Sequence, residues 1–374
     1  MPIRKKGVLV VGVGVLLSSV AVITLVHTSF HGIAFINVIS SVAFPEPKKS
    51  QKSRCAILFF GLPRSYEFLV LPSIVHNVLA HNICCDVYAH SIIRREEPPG
   101  RSGSGGSIDP NALSLLKKKV HELHKGPPPH VYIYEETEDD FWTKRNATIN
   151  MYRTAKGADG KLLYYPWKTH FNTETVDNII RQWHSVESVW QLMEKGAKIL
   201  RVKYDHVCIL RSDVFFATPI QMCSNVSATK ATYPGFGLWP VNDRMICGPH
   251  NAVKIWASQR FSRLVSDINK LPPGRALHPE TFLDRVIFPA IRENGTEVTQ
   301  DPNICFFRVR SDMSMWVNDC LRARTPGGPE PLGDVEWADQ QILMVQSIVG
   351  LQCQLKPYSK VIRQLVCRND SLQL

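Results

Sequence analysis

The sequence predicts an α/β domain, a mixed and mainly parallel sheet with helices on both faces, carried behind an N-terminal transmembrane helix. Three observations predict it. A wholly apolar run at Cys55–Phe60 (CAILFF) reads as a strand buried on both faces. Strand-like and helix-like segments then alternate, the pattern of parallel βαβ units. And no charged residue lies between Lys6 and Glu46, a stretch that opens on GVLVVGVGVLLSSVAVITLV at 7–26.

Taken in order, the apolar stretch comes first. As a helix it rises about 30 Å, the thickness of a bilayer's hydrocarbon core. Arg4-Lys5-Lys6 is a short basic head that stays cytosolic, so the rest of the chain is lumenal. The expected division is a cytoplasmic tail at 1–6, a signal anchor at 7–27, a membrane-proximal stem at 28–53 and a lumenal domain at 54–374. A cleaved signal peptide ending at Ser19-Val-Ala21 or Ser41-Val-Ala43 is the rival reading, but cleaved apolar cores are shorter, roughly 7–15 residues.

The strand at 55–60 stops at Gly61-Leu-Pro-Arg-Ser65, and 66–81 carries a helical pattern. Asp86–His90 is a second strand. Glu96–Pro110, rich in Gly, Pro and Ser, reads as a mobile loop. A basic helix over about 111–125 ends at Pro127-Pro-Pro129, and Val131–Tyr134 is a third strand. Residues 140–170 read as irregular. A long helix over about 174–198 comes next, with Trp183, Val186, Val189, Trp190 and Met193 on one face; His184 beside them reads as structural. His206–Leu210 is the next strand, ending at Arg211-Ser-Asp213. Mixed structure fills the remainder, with helices near 250–270, 280–293 and 336–349. No linker appears after residue 54.

The formal charge of +11 suits an anionic partner such as a nucleotide sugar or an acidic glycan. Nucleic acid is excluded as a partner, because no basic run is interleaved with aromatics. All ten cysteines lie beyond the apolar stretch, from Cys55 to Cys367, and their even number allows a disulfide framework. Cys84-Cys85 and Cys353 with Cys367 stand out as candidates. No C-x-x-C occurs, and His121-Glu122-Leu123-His124 is not a zinc-protease motif. Sequons at Asn146, Asn225, Asn294 and Asn369 agree with a lumenal glycoprotein.

Ligands of open α/β sheets bind beyond the carboxyl ends of the strands. Three segments reach that edge. Gly61 allows a tight turn; Arg64 and Ser65 open the next helix, where phosphate can be received and clamped. Arg211 and Asp213 follow a strand directly, and a carboxylate there can hold a divalent cation against a diphosphate. The plainer reading is an ion pair tying down a loop. Asp243 and Arg244 precede a Gly-Pro turn.

HVCILRSDVFF at 206–216, WPVNDRMICGP at 239–249, ETFL at 280–283 and CFFRVRSD at 305–312 together resemble a group of eukaryotic glycosyltransferases with a GT-A-like nucleotide-diphospho-sugar transferase fold. The resemblance spans about 55–312 and rests on R-x-D and N-D-R taken together; the last sixty residues are outside it. It implies a nucleotide-sugar site made of Gly61, Arg64, Ser65, Arg211, Asp213 and Arg244, and a glycan or glycoprotein acceptor. Asp243 and Glu280 are the implied acceptor-side acids, with His278 a lesser candidate. The related D-x-D enzymes bind Mn²⁺ or Mg²⁺. Here the first acid is Arg211, so either Asp213 alone holds the cation or Arg211 supplies the charge itself. The expected setting is the Golgi or ER membrane. A type II carbohydrate sulfotransferase and a non-catalytic glycan-binding protein are the alternatives. PRSYEF at 63–68 lacks the Gly-Thr of a phosphosulfate loop, and no GK[ST] or G-x-S-x-G occurs.

Overall fold

The computed structural model describes residues 54–374 apart from 100–103, 125, 127, 157–158, 163–172, 224–226, 239, 269–276, 321–333, 357–363 and 369–374. The expected tail, anchor and stem at 1–53 and the sequons Asn225 and Asn369 lie outside the described residues. Among the described residues no helix is long and apolar enough to cross a membrane.

The strands are β1 (Cys55–Phe60), β2 (Cys85–Ile92), β3 (Glu96–Glu97), β4 (Gly106–Ser107), β5 (Val131–Glu136), β6 (His206–Arg211), β7 (Val214–Phe216), β8 (Lys230–Pro234), β9 (Ile246–Pro249), β10 (Glu297–Asp301), β11 (Phe306–Val309), β12 (Ser314–Trp316), β13 (Gln352–Lys356) and β14 (Gln364–Arg368). Seven of them form the main sheet in the order β10-β8-β9-β6-β1-β2-β5. Neighbours are parallel except around β9, which runs against both β6 and β8. The mixed, mainly parallel α/β sheet expected from the sequence is therefore the observed one.

β1 explains why the sheet is covered twice. Cys55, Ile57 and Phe59 enter one apolar core, Ala56, Leu58 and Phe60 the other. Alternation of side chains across a strand puts successive residues on opposite faces, so an unbroken apolar run needs a layer on each. A π-helical turn at Tyr66–Val70, α1 (Leu71–Asn77) and α2 (Ala112–Leu123) supply one layer. The other contains α3 (Glu138–Thr154), α4 (Thr173–Leu200) and α5 (His250–Ser258). The expected face of α4 is correct: Trp183, Val186, Val189, Trp190 and Met193 are all buried.

Farther along lie α6 (Arg260–Ile268), α7 (Pro279–Phe282), a π-turn at Leu283–Ile287, α8 (Phe288–Glu293) and α9 (Asp334–Val349). A second, antiparallel sheet of order β13-β14-β12-β11-β7 takes in the C-terminal residues. Its first strand, β7, begins one residue after Asp213.

Two expectations are corrected. Residues 140–154, part of the stretch read as irregular, belong to the helix Glu138–Thr154. Thr137 accepts the Asp140 N–H at 3.1 Å, three acids occupy the first turn, and Phe141, Ile149 and Tyr152 form a buried stripe. The stretch 96–110, read as a mobile loop, contains the paired strands β3 and β4, held down by Glu97 and by the Ser104 N–H on Asp312.

All ten cysteines are bridged: Cys55–Cys85, Cys84–Cys223, Cys208–Cys247, Cys305–Cys320 and Cys353–Cys367. Cys353–Cys367 was expected. The vicinal Cys84 and Cys85 are not joined to each other but serve two different bridges. Asn146 in α3 and Asn294 just after α8 are both exposed.

Candidate active site

The chain moves outward from β1 through β2 to β5 on one side and places β6 on the other. The crevice between the ends of β1 and β6 is thus the point where the winding reverses, the place where open α/β sheets take their ligands. Gly61 leaves β1 with φ 99°, a conformation that glycine adopts without a Cβ penalty. Its N–H is shared between the His90 carbonyl at 3.2 Å and Ser185 Oγ at 3.0 Å. Ser65 is left-handed too, at φ 41°, and its hydroxyl donates to the Arg310 carbonyl at 2.8 Å. That hydroxyl does not cap the helix after it, and the first turn of that helix carries Glu67. The helix start expected to receive phosphate is therefore not the prominent feature of this edge.

The prominent feature is arginine. Arg211 grips Asp213 from two residues away, Nε to Oδ1 at 2.6 Å and Nη2 to Oδ2 at 2.7 Å. Arg64 adds a hydrogen bond to Asp213 Oδ2 and an ion pair, Nε to Glu97 Oε1, at 2.8 Å. β11 runs against β7, and the Val309 N–H donates to the Asp213 carbonyl at 2.9 Å, which sets Arg310 beside the pair. Arg310 Nη1 lies 3.7 Å from Glu97 Oε1. Burial pushes the Asp213 carboxyl up, and Arg211 and Arg64 more than reverse this, holding it below the usual carboxylate range. Burial and the charge of Arg64 bring Arg310 down to about 10.

Asp213 was expected either to hold a cation alone or to leave the charge to Arg211. It is 2% exposed, with both oxygens already accepting from guanidinium groups. A dication at Asp213 would have to displace those bonds while facing Arg64, Arg211 and Arg310, so this donor set does not fit Mn²⁺ or Mg²⁺.

Beside this cluster stands an acidic pair. Buried Asn242 donates to the Phe236 carbonyl at 2.8 Å and accepts the Arg244 N–H at 2.9 Å, a turn that presents Asp243 and Arg244. Gln182 of α4 donates to Asp243 Oδ2 at 2.9 Å. Glu280 comes from α7, whose first turn is capped by His278 Nδ1 accepting the Thr281 N–H. His278 Nε2 then lies 3.5 Å from Glu280 Oε2. Burial and the charge of Asp243 push the Glu280 carboxyl up to about 8, against opposing pulls from Arg244 and Arg211. Glu280 thus keeps its proton near neutral pH beside Asp243, an environment that suits a proton holder. Arg260, fully buried over the Trp256 ring at 3.9 Å, also feels Asp243 and is lowered to about 9 by burial.

A third cluster lies deeper. His90, Glu136 and His184 are buried and close enough to hold a metal ion. Their hydrogen bonds do not suit one. Arg145 Nε donates to His184 Nδ1 at 2.9 Å, so the His184 proton sits on Nε2 and points at Glu136 Oε2, 2.6 Å away. His90 Nε2 approaches the same oxygen at 3.3 Å, and Lys144 binds Oε1. Burial lowers both histidines, His184 to about 4, leaving them neutral beside an ionised Glu136. The sequence reading of His184 as structural agrees with this.

The structure therefore joins Arg64, Arg211 and Asp213 by direct contact and brings Arg244, Asp243 and Glu280 within electrostatic reach of them. Gly61 and Ser65 shape the backbone. Arg310 and Glu97 were not among the expected site residues. The F-x-x-x-R spacing of Phe306 and Arg310 was the one available signal for Arg310; nothing marked Glu97 inside a Gly- and Pro-rich stretch.

No family model matches the chain, and no curated protein does. Two crystal structures of the glycosyltransferase GlyE from Streptococcus pneumoniae TIGR4, one in the apo form, align with it at 9% identity and a TM-score of 0.30. The alignments cover 68% and 66% of this chain and 46% of theirs, so the chain spans under half the length of those structures. A likeness that weak carries no argument about function.

Proposed function

We propose that the chain is a glycosyltransferase that moves a sugar from a nucleotide-diphosphate donor to a hydroxyl of a glycan or glycoprotein. The observation that carries this reading is the placement of Arg64, Arg211 and Arg310 at the switch point of the sheet, with Asp243 and Glu280 beside them. The arginines meet the charge that develops on the departing diphosphate, an electrostatic role that calls for no cation at Asp213. Asp213 orients Arg211 and Arg64. Asp243 takes the acceptor proton as the acceptor oxygen bonds to the anomeric carbon and the carbon–phosphate oxygen bond breaks; Glu280 keeps its proton. The wider proposal sets the domain in an oxidising lumen of the Golgi or ER, behind the anchor at 7–27. Complete pairing of the cysteines supports it; carbonate extraction with glycosidase digestion tests it, a soluble and unshifted protein being the contrary result.

The activity test is thermal shift of the purified full-length chain with nucleoside diphosphates, with and without Mn²⁺, and with adenosine bisphosphate. A nucleoside diphosphate is expected to stabilise the fold equally with chelator present. Stabilisation by adenosine bisphosphate alone would point to a sulfotransferase, and none by either to a glycan-binding protein.

A further inference from the structure

Arg64 meets two carboxylates, Asp213 together with Arg211 and Glu97 together with Arg310, and those two are held in different ways. The Asp213 side chain is 3% exposed and bound in the floor of the site. The Glu97 side chain is 14% exposed, like Arg64 at 14% and Arg310 at 16%. Glu97 arrives on the β3–β4 hairpin, opposite Gly106. Gly106, at φ 148°, packs so near the β11–β12 turn that a Cβ would lie 3.1 Å from the Ser311 carbonyl oxygen. Glu97 Oε1 takes Arg64 and Arg310, while Oε2 accepts the Ser311 hydroxyl at 2.9 Å and N–H at 3.3 Å. One oxygen occupies the arginines; the other is anchored independently of them.

We propose that Glu97 is a specificity-determining residue: a tethered carboxylate in the anion site that admits diphosphates and turns away anions with a single phosphoryl or sulfuryl group. This rests on the reading of the arginines as the donor-phosphate site. An anion with one phosphoryl or sulfuryl group competes with a group whose tether gives it an effective concentration of order mM or higher. A diphosphate brings more charge and two phosphoryl groups, enough to engage Arg64 and Arg310 together. Glu97 then keeps Ser311 and releases the arginines, with no unfolding of the hairpin.

The test is titration of the full-length chain with inorganic pyrophosphate, phosphate and sulfate, comparing wild type, Glu97→Gln and Arg310→Ala. Wild type is expected to prefer pyrophosphate by at least about tenfold, and Glu97→Gln to bind all three, with the preference shrunk several-fold. Glu97→Asp, which keeps the charge but shortens the reach to the arginines, should fall between them and serves if the glutamine variant fails to fold. Unchanged discrimination in both Glu97 variants, with pyrophosphate binding lost in Arg310→Ala, overturns the role of Glu97 and leaves the anion site standing. Absence of pyrophosphate binding in every variant overturns the site and the proposal together.

Discussion

Two deep carboxylates of this molecule, Asp213 and Glu136, have much the same environment at first sight: both are buried, both are held by cationic or hydrogen-bonding side chains, and both stay ionised. Their partners differ. Glu136 sits with two neutral histidines and Lys144, one positive charge for one negative. Asp213 is bound by Arg211 and Arg64, and Arg64 also reaches Glu97, which lies beside Arg310. The Glu136 network lies among neutral imidazoles in the core, whereas the Asp213 network is built of guanidinium groups at a strand-end crevice. Burial and perturbed titration alone do not separate a structural cluster from a binding one; the kind of partner and the position on the sheet do.

The sharpest way to break that comparison is Asp213→Asn. Donor turnover is expected to fall by roughly 10²–10³-fold, because Arg211 and Arg64 lose the group that aims them. Stability falls as well, by about 3–5 kcal/mol, since guanidinium groups are left beside a neutral amide in a buried place. Denaturant melts run alongside turnover assays read both; normal turnover in a stable variant removes Asp213 from the site.

Glu136→Gln should show the opposite balance. It is expected to cost about 3 kcal/mol, by leaving Lys144 and two histidines without their common acceptor, while turnover per folded molecule stays within about threefold of wild type. A turnover loss as large as that of Asp213→Asn would erase the distinction.

Titration gives a smaller effect and a sign for each region. His90 and His184 are lowered below 6.5, so the unfolded chain binds protons that the folded chain does not, and stability drops as pH falls from 6.5 toward 4. Glu280 is raised from 4.5 to about 8, so above the histidine range the folded chain holds an extra proton, and stability drops as pH rises toward 8. Urea midpoints across this range should therefore peak near 6.5, and Glu280→Gln should flatten the basic limb. A basic limb unchanged in that variant would detach Glu280 from the acidic pair. The smallest effect is expected from chelator: addition of EDTA should leave donor turnover unchanged, and its loss would mean that Asp213 exchanges its arginines for a cation.

Much of the fold is legible in the chain itself. The run CAILFF announces a doubly covered strand, and the segments after it fall into order as far as Asp213. The helix at 138–154 escapes notice because its polar residues outweigh a sparse apolar stripe of Phe141, Ile149 and Tyr152; its start is written in Thr137 and the acids after it. In the site, the R-x-D spacing does not reveal that Arg211 bends back onto Asp213. Arg310 lies 97 residues beyond Asp213, and only the pairing of β7 with β11 unites them. Glu97 comes from the opposite direction, through a two-residue strand too short to leave a pattern.

The shared vicinal cysteines carry a consequence for how the chain is made. Cys55, Cys84 and Cys85 emerge from the ribosome well before Cys223, the partner that Cys84 needs. In the finished fold the sulfurs of Cys55 and Cys84 stand 3.2 Å apart, although they are not bonded. A nascent chain therefore meets two choices of nearly equal reach for its first crosslink, and the wrong one strands Cys85 inside the sheet. Chains that make the wrong crosslink must reshuffle after synthesis of Cys223, so yields should depend on a thiol–disulfide isomerase or a glutathione couple more steeply than the number of bridges alone suggests.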